Sequence, residues 1–423
     1  MSGFFFTPGA DATRLAKNWI ATVNSSDVAG QIFLKPKRAQ PFYSRHPWVF
    51  AGAIERKEGK PTDGCVVDVR SHVGNFVARG LFNSQSKIEV RLYSWDEEAV
   101  IDREFFKARL QRAISFRHDI LKLNTGPDAA YRVVFSEADQ LSGMVVDRYG
   151  PYLTVQFTSL ALAERRVMLG ELLMELLGAK GIYLRTEKGI GKLEGVMLHD
   201  SLLCGEAPPG EVVIEENGLK FAVNLSEGQK TGYYLDQRDN RTAVAAFAAG
   251  KRVLDAFSYS GGFGIYAARA GAIEVECVDA SEPALKLAER NAELNGFNVL
   301  KFHKNDVFQR LDELAIEGKK FDIVVLDPPK FARDRAAIPE AIKGYRRLHL
   351  LALKLLEPNG ILVSCCCTGL ITMDMLEDVI AQVGVVAKRD IQIFERRGPS
   401  ADHPVAVSCR EGSYLKCIFS RAV

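Results

Sequence analysis

The spacing of hydrophobic positions changes repeatedly along this chain, and each change predicts a different kind of element. From about Gln31 to Trp95 the apolar residues come in short runs (QIFLKP, VVDV, NFVARGLF, IEVRLYS) separated by polar turns such as TDG and SHVGN. Runs of this kind at roughly ten-residue spacing predict a small β-barrel. From Asp102 the stretch DREFFKARLQRAISFRHDILKL places apolar residues three and four apart, the period of an amphipathic helix. YRVVFSEADQLSGMVVDRYGPYLTVQF then reads as strands with turns at SG and YGP, and a second helical run covers Leu160 to Leu177. In VVIEENGLKFAV the dipeptide Asn217-Gly218 accepts the positive φ angles of a type I′ hairpin turn. After Lys251 apolar strands alternate with amphipathic helices almost to the end, which predicts a mostly parallel sheet covered on both faces. The expected organisation is an extension over 1–30, a β domain over 31–101, a middle α+β domain over 102–210 and an α/β domain over 211–423.

A length of 423 residues exceeds one ordinary core, in keeping with several domains. Hydrophobic content of 47% with 26% charged residues excludes a disordered or fibrous chain. The formal net charge is only +2, so no global basic field points to nucleic acid, and any RNA-binding surface must be a local patch. Eight cysteines form no CxxC pairs, so neither a zinc site nor a disulfide framework is expected. Three adjacent ones, Cys365, Cys366 and Cys367, suit a reducing cytoplasm. The start, MSGFFFTPGADATRLAKNW, does not read as a signal peptide, and no apolar run is long enough to span a bilayer.

Three motifs in the last domain carry the chemistry. In VLDAFSYSGGFG a buried strand containing Asp255 runs into a turn with Phe257, Ser258, Gly261, Gly262 and Gly264; glycines there are expected to let the backbone approach a ligand. The next strand, EVECVDAS, ends in Asp279, about twenty residues on, where a carboxylate accepts the hydroxyls of an adenosine ribose. Asp306, after a third short strand, is placed to accept from the adenine amino group. SYSGGFG matches the dinucleotide pattern GxGxxG only in part, and S-adenosylmethionine, which has no pyrophosphate to hold, fits the site best.

The second motif, FDIVVLDPPKF, ends a buried strand in Asp327-Pro328-Pro329, where the prolines fix φ and make a rigid ledge against a flat base. Amino-methyltransferases place an aromatic directly after the prolines; here Lys330 stands there and Phe331 follows, which counts against an exocyclic amine as target. The third, ILVSCCCTGL, ends another strand in the three cysteines. Alternation puts Cys365 and Cys367 on one face and Cys366 on the other. Carbon 5 of a pyrimidine is a weak nucleophile until a thiolate adds at carbon 6, and a carboxylate such as Asp327 near N3 assists. Far upstream, SRHPWVFAGAIER interleaves cations with aromatics, a pattern that clamps phosphate and stacks on bases.

Together these residues resemble the large-subunit ribosomal RNA cytosine-5 methyltransferase family, which joins a PUA-like domain to a Rossmann-like methyltransferase domain. The resemblance runs from about residue 31 to the end through RHPWVFAGAI, YRVVFSEADQLSGMVVDRYG, KTGYYLDQRDNR, FSYSGGF, DPPKF, CCTGL, DHP (402–404) and EGSYLK. It implies a class I methyltransferase domain behind a small β-barrel PUA-like domain and a middle α+β domain. The implied reaction forms 5-methylcytidine in 23S rRNA, with S-adenosylmethionine as donor. By the same resemblance Cys367 is the nucleophile, with Cys365 as a possible substitute. Tyr233, Tyr234, Asp236, Gln237 and Arg238 wall the cofactor pocket and help hold RNA. Arg45, Trp48, Arg56, Lys330 and Arg238 are the RNA-binding candidates, and a homodimer is a further expectation. The family lacks a second cysteine in the Asp-Pro loop, as does this chain, so another base must complete the reaction, with Asp327 a candidate. The residues by themselves leave open a 5-methyluridine or amino-methyltransferase, and an RNA-binding ribosome assembly factor without catalysis.

Overall fold

The computed structural model describes residues 27–187, 189–226, 228 and 231–423. Most of the expected extension, residues 1–26, lies outside them, as does Lys230 of the KTGYYLDQRDNR block. Among the described residues no helix is long and apolar enough to cross a membrane.

The first six-stranded sheet is a half-barrel with the order Trp48–Phe50, Ile88–Ser94, Phe76–Phe82, Val66–Arg70, Val28–Leu34, Ile54–Gly59. Its strands Val66–Arg70, Phe76–Phe82 and Ile88–Ser94 are buried on both faces, whereas the edge strand Ile54–Gly59 is exposed beyond its first residue. Val67 and Val69 join Ile32 and Leu34 in its own core, whereas their neighbour Val66, with Leu81 and Tyr93, enters the core of the middle domain.

The middle sheet has the order Ser201–Gly205, Gly181–Leu184, Tyr152–Phe157, Met144–Tyr149, Ala130–Phe135. Helix Arg103–Ser115 packs on it, begun by Asp102, whose carboxylate accepts from the Phe105 amide at 2.9 Å. The helix widens into a π turn over Phe116–Ile120, short of the Leu123 expected from periodicity. The second helical run breaks into Leu160–Glu164 and Arg166–Leu177, because Arg165 turns its buried guanidinium back onto the Ala161 carbonyl at 2.9 Å.

The hairpin Val212–Glu216/Leu219–Val223 turns at Asn217 and Gly218 with φ of 52° and 76°, as the sequence predicts. Its inward residues Ile214, Phe221 and Val223 belong to the core of the last sheet. That sheet contains β1 (Arg252–Ala256), β2 (Glu274–Asp279), β3 (Leu300–Lys304), β4 (Phe321–Leu326), β5 (Leu356–Cys366), β6 (Ile391–Arg397) and β7 (Lys416–Ala422), in the order β3-β2-β1-β4-β5-β7-β6. Strands β1 to β5 are parallel, and β7 runs antiparallel to both β5 and β6.

The middle and last domains meet on a buried carboxylate. Asp402, fully inaccessible, binds Arg238 Nη2 at 2.9 Å and His403 Nδ1 at 2.9 Å, and it accepts from the Arg132 amide at 2.9 Å. Arg117, also fully buried, donates to the Asp402 carbonyl at 2.8 Å. Burial alone would raise the Asp402 pKa, but His403, Arg238 and the Arg132 amide outweigh it and hold the carboxyl well below the ordinary range. A depressed carboxyl stabilises the fold above its unfolded value, about pH 4, and loses that contribution as pH falls toward the folded value. Asp402→Asn is therefore expected to cost about 3 to 5 kcal/mol in urea unfolding, since it leaves Arg238 buried without its anion. The gap between wild type and variant should close as the pH is lowered from 5 toward 2.

Candidate active site

The carboxyl ends of β1, β2, β4 and β5 lie side by side and bring the three motifs to one edge of the sheet. After β1 the backbone takes positive φ at Phe257 (64°), Tyr259 (46°) and Gly261 (76°). Left-handed backbone at two aromatic residues is costly and persists only where the surroundings impose it. Here the Tyr259 amide donates to Asp279 Oδ2 at 2.9 Å, the Ser258 amide to the Val278 carbonyl at 3.1 Å, and the Gly264 amide to Asp255 Oδ2 at 2.9 Å. Asp279 thus holds the turn, and its other oxygen accepts from the Ser281 amide at 2.8 Å.

The glycines also make room for the protein's own side chains. A Cβ on Gly262 would lie 2.5 Å from Arg241 Nε, and one on Gly264 would lie 2.8 Å from Cys277 Sγ. On Gly261 the nearest atom would be the Ala288 Cβ at 3.1 Å. Protein packs closely against these three positions, and the positive φ of Gly261 favours glycine there as well. Arg241 reaches its place through Glu216 Oε1 at 2.9 Å and the Tyr234 carbonyl at 2.7 Å.

The donor set suits a cationic, hydroxyl-bearing cofactor. Asp255, Asp279 and Asp327 gather three carboxylates at this edge, and two buried atoms, Asp255 Oδ1 and Ser258 Oγ, have no hydrogen-bond partner among the described residues. Burial pushes the Asp255 carboxyl up to about 7; the Gly264 amide opposes this, while Asp327 and Asp279 add to it. A sulfonium and an ammonium group would supply the missing positive charge, and a ribose diol would supply donors for Asp279. Phe257 and Tyr234 are half-buried beside the turn, and the Tyr234 ring meets the Tyr259 ring edge-on at 5.3 Å. Asp306 is exposed, and one of its oxygens caps the helix Val307–Ile316 by accepting from the Gln309 amide at 3.0 Å.

At the reacting end, buried Gln237 donates to Asp327 Oδ2 at 3.1 Å and is itself fixed by Asn240, which donates to Gln237 Oε1 at 2.6 Å. The three cysteines part company. Cys365 is fully buried against Cys417, with the sulfurs 3.4 Å apart; that contact and burial raise its pKa well above the ordinary thiol value. Cys366 faces the opposite core, and its sulfur accepts from the Tyr345 hydroxyl at 3.2 Å. Cys367 stands just past the end of β5, half-buried, with its sulfur 3.7 Å from the Pro328 carbonyl oxygen to which it donates. Of the three, it is the thiol set against the Asp-Pro-Pro ledge. Phe331 packs on Tyr345, with ring centroids 4.7 Å apart.

Among the RNA-binding candidates the structure separates cations from aromatics. Arg45 and Arg56 are exposed, lying over the Trp95 and Phe33 rings at 5.5 and 3.6 Å, and Lys330 is exposed on the loop after the ledge. Trp48 is half-buried, and its indole N–H is spent on Glu137 Oε1 of the middle domain at 3.0 Å. Arg238 is a correction: it is 5% exposed and neutralises Asp402, so it has no surface to offer a phosphate. Sequence reasoning missed the roles of Asp402, Tyr414 and Lys416. Tyr414 donates to Asp236, and Lys416 enters the site from β7. Their only signal was their place in the DHP and EGSYLK segments, which carried no chemistry of their own.

Comparison with known proteins agrees with this geometry. Residues 32–95 match the PUA-like domain family, and residues 201–397 match the S-adenosylmethionine-dependent methyltransferase family. The chain is 42% identical over 395 residues to the ribosomal RNA large subunit methyltransferase I of Tolumonas auensis, covering 93% of this chain and 99% of that one. It is 41% identical over 395 residues to the protein of the same name from Aeromonas salmonicida, covering 92% and 99%. Among solved structures SMU.776, crystallised in complex with SAH, superposes with a TM-score of 0.80 over 92% of this chain and 99% of that one; at 22% identity the likeness is one of fold.

Affinity for S-adenosylmethionine should rise as pH increases through about 7, because a cationic ligand favours ionised Asp255. Below that point the loss should reach at most about tenfold per pH unit in calorimetric titrations. Asp255→Asn should weaken binding and flatten the pH dependence.

Proposed function

The chain belongs to the ribosomal RNA large subunit methyltransferase I family, and from that premise we propose that it methylates carbon 5 of a cytosine in 23S rRNA through a covalent Cys367 adduct. The observation that carries this reading is the Cys367 sulfur, accessible and 3.7 Å from the Pro328 carbonyl, beside an Asp327 oriented by Gln237. Bound S-adenosylmethionine, the cofactor of this methyltransferase family, supplies an electrophilic methyl group. The chain's own residues prepare the base to receive it. The Cys367 thiolate adds to carbon 6, forming a carbon–sulfur bond and turning the ring into an enamine whose carbon 5 is nucleophilic. Asp327 stabilises protonation at N3 as that bond forms, and Gln237 keeps the carboxyl in place. Once carbon 5 carries the methyl group, its proton passes to a base, for which Asp327 is the candidate, and the carbon–sulfur bond breaks to return the Cys367 thiolate. The two prolines after Asp327 keep the ledge stiff, so orientation costs little when the base arrives.

The target cytosine must leave its stack to reach a thiol at the sheet edge. Arg45, Arg56 and Lys330 are assigned to phosphate contacts, which set register and make binding salt-dependent without reading the base. Trp48 supports that surface from below, through its bond to Glu137. Cys365 is assigned to the core.

Incubation of the protein with unmodified rRNA and S-adenosylmethionine, followed by nucleoside mass spectrometry, should yield 5-methylcytidine. Cys367→Ala should abolish it and Cys365→Ser should retain it. Methylated uridine would overturn the base assignment, and turnover surviving in Cys367→Ala would overturn the nucleophile. Arg45→Ala and Arg56→Ala should each weaken RNA binding and lower the slope of log affinity against log salt by about one.

A further inference from the structure

Lys416 opens β7 directly opposite Cys366 in the antiparallel pairing with β5, and it is 5% exposed. Its ammonium donates to the carbonyl oxygens of Thr368 at 2.7 Å and Tyr414 at 2.8 Å. Among the described residues no carboxylate forms an ion pair with it. A buried ammonium held only by neutral carbonyls is costly, and an anion close by would offset that cost. Burial lowers the Lys416 pKa, and the two groups that oppose the shift are Cys366 and Cys367. Cys366 is sealed in the far core under the Tyr345 hydroxyl, whereas Cys367 is accessible at the ledge.

We propose that Lys416 is the positioning residue of the Cys367 nucleophile. Its ammonium fixes the carbonyl of the next residue, Thr368, so that the chain leaving β5 presents the sulfur to the Asp-Pro-Pro ledge. The same charge serves as counter-ion to the thiolate, the form that attacks carbon 6. This inference rests on the assignment of Cys367 as nucleophile. Among the described residues, the other titratable groups facing the thiol include Asp327 at the end of β4, Tyr234 before the helix Arg238–Ala245, Tyr345 on the helix Ile338–Leu355, and Cys366. Of these groups and Lys416, Lys416 is the cation, and it works against the Asp327 charge.

The test reads the thiol itself, without RNA or cofactor. Iodoacetamide labelling of Cys367 is followed against pH by mass spectrometry of its peptide in wild type, Lys416→Met and Lys416→Arg. Wild-type Cys367 is expected to react with a midpoint below the usual thiol value of about 8.5. Lys416→Met should slow labelling at pH 7 about tenfold, the equivalent of one pH unit in the midpoint, and Lys416→Arg should restore it. In rRNA methylation kcat should fall in parallel, with KM for RNA unchanged. An unshifted midpoint in a Lys416→Met protein that melts like wild type would overturn the proposal. Should that variant not fold, a wild-type midpoint at or above about 8.5 overturns it equally. Methylation that survives Cys367→Ala, with the Lys416-dependent midpoint intact, would instead sink the nucleophile assignment and leave the pairing of ammonium and thiol standing.

Discussion

One buried carboxylate holds the two larger domains in a common frame. Asp402 accepts from Arg238 of the methyltransferase domain and from the backbone of Arg132 in the middle sheet, while Arg117 takes its carbonyl. An anion this deep would be prohibitive alone, and the buried Arg238 would be costly without it. Mutual dependence of this kind fixes geometry more tightly than an apolar contact, because separating Asp402 from Arg238 leaves a buried charge bare. Arg238 begins the helix Arg238–Ala245, so anchoring it sets both flanks of that helix. On one side Gln237 reaches Asp327; one turn further on, Arg241 fills the space above Gly262. Asp327 and the turn after β1 are therefore positioned by the same joint.

The active-site edge has a second layer built from the end of the chain. Tyr414 donates to Asp236, and Lys416 spans the Tyr414 and Thr368 carbonyls, so the EGSYLK segment braces both the block before β1 and the exit of β5. Its neighbour Glu411 meets His46 Nε2 at 3.4 Å, which brings the first domain to the same segment. The SRHPWVF strip is thus a joint as well as a surface. Trp48 and His46 face inward to the middle and last domains, and Arg45 remains outside. An RNA bound across Arg45 and Arg56 would be held by a domain that is itself fixed relative to Cys367. That fixed relation lets phosphate contacts far from the base contribute to its orientation.

Much of this was written locally. Alternation and helical period gave the strands of all three domains, and Asn217-Gly218 gave its turn, because these features depend on neighbours within a few residues. The motifs VLDAF, LDPPK and CCCTGL were legible for the same reason: each is a strand with its own terminus, and parallel strands deliver their carboxyl ends to one edge. What packs against the glycines was not legible. SGGFG looks alike whether a ligand or an arginine fills the space, and here Arg241 and Cys277 fill it. Arg238 misled for a related reason. A charged residue in a polar block reads as surface until a carboxylate more than a hundred and fifty positions away proves to be its partner.

By itself the sequence determined the element types, the edge of the sheet at which the three motifs meet, and a run of three cysteines at the end of β5. It could not choose among three adjacent cysteines, since alternation relates Cys365 to Cys367 but does not say which one clears the sheet. That choice belongs to tertiary structure. Cys417 on β7 closes over Cys365, Tyr345 closes over Cys366, and the strand ends one residue before Cys367, leaving its sulfur beside Pro328. Burial is a property of what packs against a side chain, and the residues that pack here lie far away in the chain.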